Sequence, residues 1–271
     1  MSRHYCQFPL CLVGYDALDD TERLLHILGY SVGEYGKRLW SKYTLEERQH
    51  IRAHRPDWCT ISLEEDEYVQ AVIGCEELEI IPDHIYTITA YHGAASRYIE
   101  FYELQHGPDV RVRIDVKWVL EALHGTGISH EELAVLAAIY SKIGASKVPV
   151  RITQDEVWRR ALGCKSKAVF EVYTGYHADF WVTKRQVRSI IERLHDRKFF
   201  ARTTYGRRQT YYTNRMSSTA LAKRIFTAKI QRSLATQARR RADAALTKWI
   251  QEERRKLAGG NAAEGATDAP L

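Results

Sequence analysis

The stretch TKRQVRSIIERLHDRKFFARTTYGRRQTYYT, residues 183–213, decides how this chain is read. Thr183 and Gln186 stand at the spacing of a capping box, in which a hydroxyl oxygen accepts from one orphan N–H and a side chain three residues on accepts from another. A helix therefore starts at Thr183. Val187, Ile190, Ile191 and Leu194 recur on one face of it, leaving Lys184, Arg185, Arg188 and Ser189 on the other face near the N-terminal end. Directly afterwards, Phe199 to Thr204 and Gln209 to Thr213 are β-prone and flank Tyr205-Gly206-Arg207-Arg208, the composition of a hairpin tip.

Upstream, Ser129 with Glu132 and Thr153 with Glu156 repeat the capping-box spacing. The first predicts a helix carrying Leu133, Leu136, Ile139, Tyr140 and Ile143, ended by Gly144. The second predicts a helix burying Val157, Trp158, Ala161 and Leu162 before Gly163. Val148 to Ile152 alternates like a short strand between them.

The order helix, strand, helix, helix, hairpin over about residues 128–214 resembles the winged helix-turn-helix DNA-binding family. Ile152 to Gly163 resembles its support helix, and Thr183 to Thr213 its recognition helix and wing. The resemblance implies binding of double-stranded DNA. Lys184, Arg185, Arg188 and Ser189 would face base edges in the major groove, where arginine makes two bonds to guanine. Arg202, Tyr205, Arg207 and Arg208 on the wing would hold backbone phosphate. One departure stands out, because Cys164 to Val182 replaces the usual short turn. Either it is an insertion, or Ser166 to Tyr173 is itself the recognition helix, headed by Lys165 and Lys167. The first reading is preferred, since a wing follows its recognition helix to reach adjacent phosphates.

Charge separates the rest of the chain. Residues 1–125 hold 12 Lys/Arg against 21 Asp/Glu, a net −9, whereas residues 126–271 hold 28 against 13, a net +15. So basic a half attracts polyanions. The acidic half is read as a separate, mainly helical domain for self-association or partner binding. Helices are expected near 20–30, 44–54 (Thr44 with Glu47), 62–73 (Ser62 with Glu65) and 115–124. Residues 217–257 read as one long helix with 11 basic and 3 acidic residues. Its Arg239, Arg240 and Arg241 form a secondary basic surface. Phe226, Ile230 and Leu234, then Leu246, Trp249 and Ile250, make a stripe broken by Arg241 and too irregular for a coiled coil. Residues 258–271 read as a disordered tail. The fold class expected is mainly α with a small β-hairpin, and a homo-oligomer through residues 1–125 or the C-terminal helix fits this layout.

Enzymatic readings fail on chemistry. The five cysteines, Cys6, Cys11, Cys59, Cys75 and Cys164, form no CxxC pair, which points to a reducing compartment without a disulfide framework or zinc ribbon. His50 and His54 with a cysteine do not amount to a metal site, and no cofactor is expected. Asp109 and Asp115-Val116-Lys117 imitate a nuclease signature, but six residues of strand hold two carboxylates about 20 Å apart, too far for one magnesium ion. No His-x-His pair and no phosphate-cradling Gly-Lys-Ser/Thr loop occurs. No stretch has the length of a membrane span or the form of a signal peptide. The expectation is thus a non-enzymatic, cytoplasmic, nucleoid-associated binder of double-stranded DNA. A transcriptional regulator leads, a replication-initiation or other mobile-element protein is the alternative, and a winged helix turned to protein or RNA contacts comes third.

Overall fold

The computed structural model describes residues 4–15, 18–53, 65–79, 85–176, 181–206 and 209–264. Residues 1–218 form one compact unit and residues 219–271 a second. The first is mainly helical with two small antiparallel sheets.

Strand β1 (Tyr5–Pro9) pairs antiparallel with β2 (Arg111–Asp115), from Tyr5 opposite Asp115 to Pro9 opposite Arg111. Cys6, Phe8, Val112 and Ile114 are buried between exposed Gln7, Arg111 and Arg113, the alternation of a sheet with one face in the core. A 3-10 turn, Leu10–Gly14, follows β1 with all five residues buried. Helix α1 (Asp20–Trp40) is capped by Asp19 and continues well past Tyr30. After α2 (Leu45–Ala53), α1 is flanked by α3 (Glu65–Glu77) and α4 (Ile85–His106). Gly36 lets α1 and α3 touch through backbone, since a Cβ there would lie 1.8 Å from the Gln70 carbonyl oxygen.

The Thr44 to Glu47 capping box opens α2 as expected, while Ser62 lies outside the described residues. Asp115 ends β2 and caps α5 (Val116–Leu123), accepting from the Lys117 N–H at 3.0 Å. Helix α6 (His130–Ile143) is buried without interruption from Glu132 to Ile139. A helix buried on every face must be packed on every side. Here β2 and α5 contact it as well as two elements of the following segment, α7 (Gln154–Ala161) and α9 (Lys184–Asp196). The boundary expected between residues 125 and 128 therefore falls inside one core.

Strand β3 (Val150–Arg151) precedes α7, helix α8 (Lys167–Tyr176) lies between α7 and α9, and β4 (Ala201–Tyr205) and β5 (Gln209–Thr213) follow. These strands form a sheet in the order β3-β5-β4, with Val150 opposite Tyr212 and Tyr205 opposite Gln209.

The two halves of the unit are joined by backbone. Gly163 ends α7 with φ +77°, and a Cβ on Gly14 would lie 2.1 Å from the Leu162 carbonyl oxygen. Beside this crossing, the Tyr102 hydroxyl donates to Gly163 O at 3.4 Å, and Lys165 Nζ donates to Gly107 O at 2.5 Å and Pro108 O at 2.7 Å.

The second unit holds α10 (Ser218–Glu264), which passes the end expected at Leu257. The helix continues through Gly259 and Gly260, which disfavour it, because Ala258, Ala262 and Ala263 favour helix on either side and no proline stops it. The expected tail is corrected accordingly for residues 258–264, and residues 265–271 lie outside the described residues.

Gly14→Ala should lower unfolding stability by about 1–3 kcal/mol, because the added methyl meets backbone that cannot step aside. Urea denaturation of the full chain measures it, and an unchanged midpoint would show that Gly14 and Gly163 are not in contact.

Candidate nucleic-acid interface

Helix α9 is fixed at both ends. At its start, Gln186 Oε1 accepts from the Thr183 N–H at 2.7 Å and Thr183 Oγ1 from the Gln186 N–H at 3.3 Å, completing the expected capping box. Two contacts tie this end to α7: Gln154 Nε2 donates to Lys184 O at 2.9 Å, and the Lys184 ammonium pairs with Asp155. Trp158 Nε1 donates to Val182 O at 2.9 Å just before the helix begins. Val187, Ile190, Ile191 and Leu194 are all buried, as their spacing predicts.

At the far end the Glu132 carboxylate, 8% exposed, is held by Arg193 Nε at 2.9 Å and by Arg197 Nη1 at 2.9 Å. Arg197 also donates to Gly127 O at 2.8 Å. A buried carboxylate costs several kcal/mol unless it is paired and hydrogen-bonded, so two guanidiniums on one acid make a clamp. Lys198 then takes the left-handed conformation, φ 64°, and the Phe199 N–H returns to Leu194 O at 3.1 Å. This helix stop aims the chain into β4. Phe199 is held in turn, its carbonyl accepting from the Tyr140 hydroxyl at 2.8 Å and its ring lying 5.0 Å from Trp118.

The outward face carries the residues read from the sequence. Arg185 is exposed, and no carboxylate among the described residues pairs with it. Arg188 is exposed and pairs with Glu192 of the next turn at 3.6 Å. Lys184 is shared with Asp155, a pairing of half-exposed groups that is worth about 0–1 kcal/mol and exchanges readily for another anion. Ser189 accepts from Arg193 at 3.1 Å. On the hairpin, Arg202 and Tyr205 are half-buried along β4, and Gly206 turns the chain with φ +63°. Arg207 and Arg208 lie outside the described residues. Arg239, Arg240 and Arg241 are exposed on α10, in the second unit.

The sequence reading missed the commitment of Arg193 and Arg197 to Glu132. Their i, i+4 spacing was visible, but Glu132 was already assigned to its own capping box, and one carboxylate does both jobs. The rival helix exists as α8 and packs on α7, with the Phe170 ring 5.0 Å from Trp158. Lys165, at its head, is occupied by the Gly107 and Pro108 carbonyls, and exposed Lys167 pairs with Glu171 at 3.3 Å.

The nuclease-like acids serve the fold. Asp109 Oδ2 accepts from the Cys11 N–H at 2.7 Å, and burial pushes its carboxyl above the usual range, while Asp115 caps α5. Cys6, Cys11, Cys75 and Cys164 are buried, and burial raises the Cys6 thiol to about 12. His50 is exposed on α2, and His54 and Cys59 lie outside the described residues. Among the described residues no three His, Cys, Asp or Glu side chains gather as metal ligands. No helix among them is long and apolar enough to cross a membrane. No family model matches the chain, and neither a curated protein nor a solved structure is significantly similar to it.

Glu132→Gln keeps the shape of the clamp and removes its charge. It should cost about 2–3 kcal/mol of stability, because one acceptor oxygen becomes an NH2 donor that faces an arginine N–H, so one of the two bonds is lost and both guanidiniums lose their anion. Arg188→Ala, which removes only an exposed pair, should change stability by less than about 0.5 kcal/mol. Equal effects in chemical denaturation would show that the clamp carries no special weight.

Proposed function

We propose that residues 128–214 form a winged helix that binds double-stranded DNA without catalysing a reaction, with α9 in the major groove and the β4–β5 hairpin along the backbone. The observation that carries this reading is the sheet order β3-β5-β4 leading directly out of α9, whose first two turns present Arg185 and Arg188 outward. A recognition helix works from its N-terminal turns, and these are the turns held on α7. Arg193 and Arg197 at the far end are committed to the buried Glu132, whereas Arg185, and Arg188 with its exposed partner Glu192, are the cations left to meet a groove.

The same order supports α9 over α8 as the reading helix. A hairpin leaving α9 reaches the phosphates next to the groove that α9 occupies, whereas α8 is separated from the hairpin by all of α9. Sequence-specific regulation of transcription is the programme we assign. Fragments selected by the full chain from genomic DNA and from total RNA test it. A palindromic site near a promoter is the expected result, directly repeated sites beside an AT-rich segment assign replication initiation instead, and selection of RNA or of no nucleic acid overturns the reading.

On the selected site, Arg185→Ala or Arg188→Ala should cost about 1–3 kcal/mol and relax the base preference, with a smaller effect on random duplex. Arg207→Ala and Arg208→Ala should weaken all duplexes alike. Lys167→Ala is the clean probe of α8, because Lys165 has a structural role. Loss of site preference in Lys167→Ala alone would move the reading helix to α8.

A further inference from the structure

Tyr30, Glu34 and Arg38 stand four residues apart on α1 and therefore share one face of it. Together with Tyr35, Gln7 of β1 and Arg111 of β2 they line a cavity of about 270 Å³. Gln7 and Arg111 belong to the exposed side of that sheet, whose other side is in the core. The lining is rich in hydrogen-bond donors, for a guanidinium carries five N–H groups and accepts nothing. Arg38 lies over the Tyr35 ring, its guanidinium carbon 4.3 Å from the ring centre, and Arg111 lies over Tyr30 at 5.5 Å. Arg111 spends one N–H on the Tyr30 hydroxyl. Burial pushes the pKa of that phenol up and keeps its proton, which meets no acceptor among the described residues. The one acid of the lining, Glu34, lies 3.8 Å from Lys37 Nζ and 3.8 Å from His92 Nε2. Glu103, whose charge also reaches Arg111, accepts from the Asp109 N–H at 3.0 Å. Among the described residues no carboxylate forms an ion pair with Arg38 or Arg111, although residues 1–125 carry a net −9.

We infer that this cavity binds a small phosphate monoester, with its phosphoryl group between Arg38 and Arg111. A guanidinium meets phosphate oxygens edge-on and two at a time, and an aromatic ring behind it leaves that edge free. Two fixed positive charges match a monoester, which carries about −1.5 to −2 at pH 7, better than the single charge of a carboxylate or of a backbone phosphodiester. The volume favours an ester over the bare ion. A cavity of about 150 Å³ holds a benzene ring. At about 270 Å³ this one has room for the phosphoryl group and a sugar-sized substituent, whose hydroxyls Gln7 and Tyr35 can bond. The site uses no residue of α9 or of the hairpin and stands independently of the DNA-binding reading.

Calorimetric titration of the full chain with ribose phosphate, inorganic phosphate and ribose, at constant ionic strength, tests it. Ribose phosphate should bind at least about 10-fold more tightly than inorganic phosphate, and ribose should not bind. Arg38→Met removes an exposed side chain, and Arg111→Lys keeps the charge but loses the fork. Each should weaken ribose phosphate at least about 10-fold, with folding checked by circular dichroism. Arg113→Met is the control, since Arg113 shares the exposed sheet face but lies over Tyr5, outside the lining, and it should bind as wild type does. No binding of ribose phosphate at millimolar concentration, inorganic phosphate bound as tightly, or an equal loss in Arg113→Met would overturn the proposal. Displacement of ribose phosphate by a short DNA duplex would overturn it too, giving these arginines to backbone phosphate instead.

Discussion

The carboxylate of Glu132, buried under α9 and gripped by Arg193 and Arg197, is the contact from which the proposed interface takes its orientation. An acid in that position must be paired, and Arg193 and Arg197 at the end of α9 pair with it. The pairing is made in the same rotation of α9 that puts Val187, Ile190, Ile191 and Leu194 in the core while Arg185 and Arg188 face out. Because Glu132 also closes the capping box of α6, the start of the central helix and the end of the outward one are set by a single side chain. Gln154 and Asp155 secure the opposite end.

The charge asymmetry of the chain describes its surface and not its division into domains. Net −9 and net +15 meet across a continuous core in which α6 touches β2 and α5 as well as α7 and α9. The acidic half therefore buttresses the helix that carries α9, and the Gly14–Gly163 crossing shows how closely the halves are built. Cutting at residue 125 would expose that seam, so the binding behaviour of each half belongs to the intact unit.

What was legible in the sequence was local chemistry. Capping boxes at Thr44, Ser129 and Thr183 each opened a helix where the spacing said one would begin, and the hairpin after α9 followed from β-prone runs around a glycine. Long-range pairing was not legible. Strands β1 and β2 are five residues each and meet across most of the acidic half, so neither has a local partner to announce it. Helix α4 was missed because its apolar residues are not confined to one face. In the site, the outward position of Arg185 and Arg188 was readable from periodicity, whereas the use of Arg193 and Arg197 depends on a partner about sixty positions away. The tip residues Arg207 and Arg208 lie outside the described residues.

The proposed binding of duplex DNA by this face would be an electrostatic event before a specific one. Titrating the full chain against a labelled duplex over a series of salt concentrations measures it most directly. Neutralising about six phosphates predicts a slope of log K against log salt near −5. An affinity that ignores salt, or no binding at low salt, would contradict it.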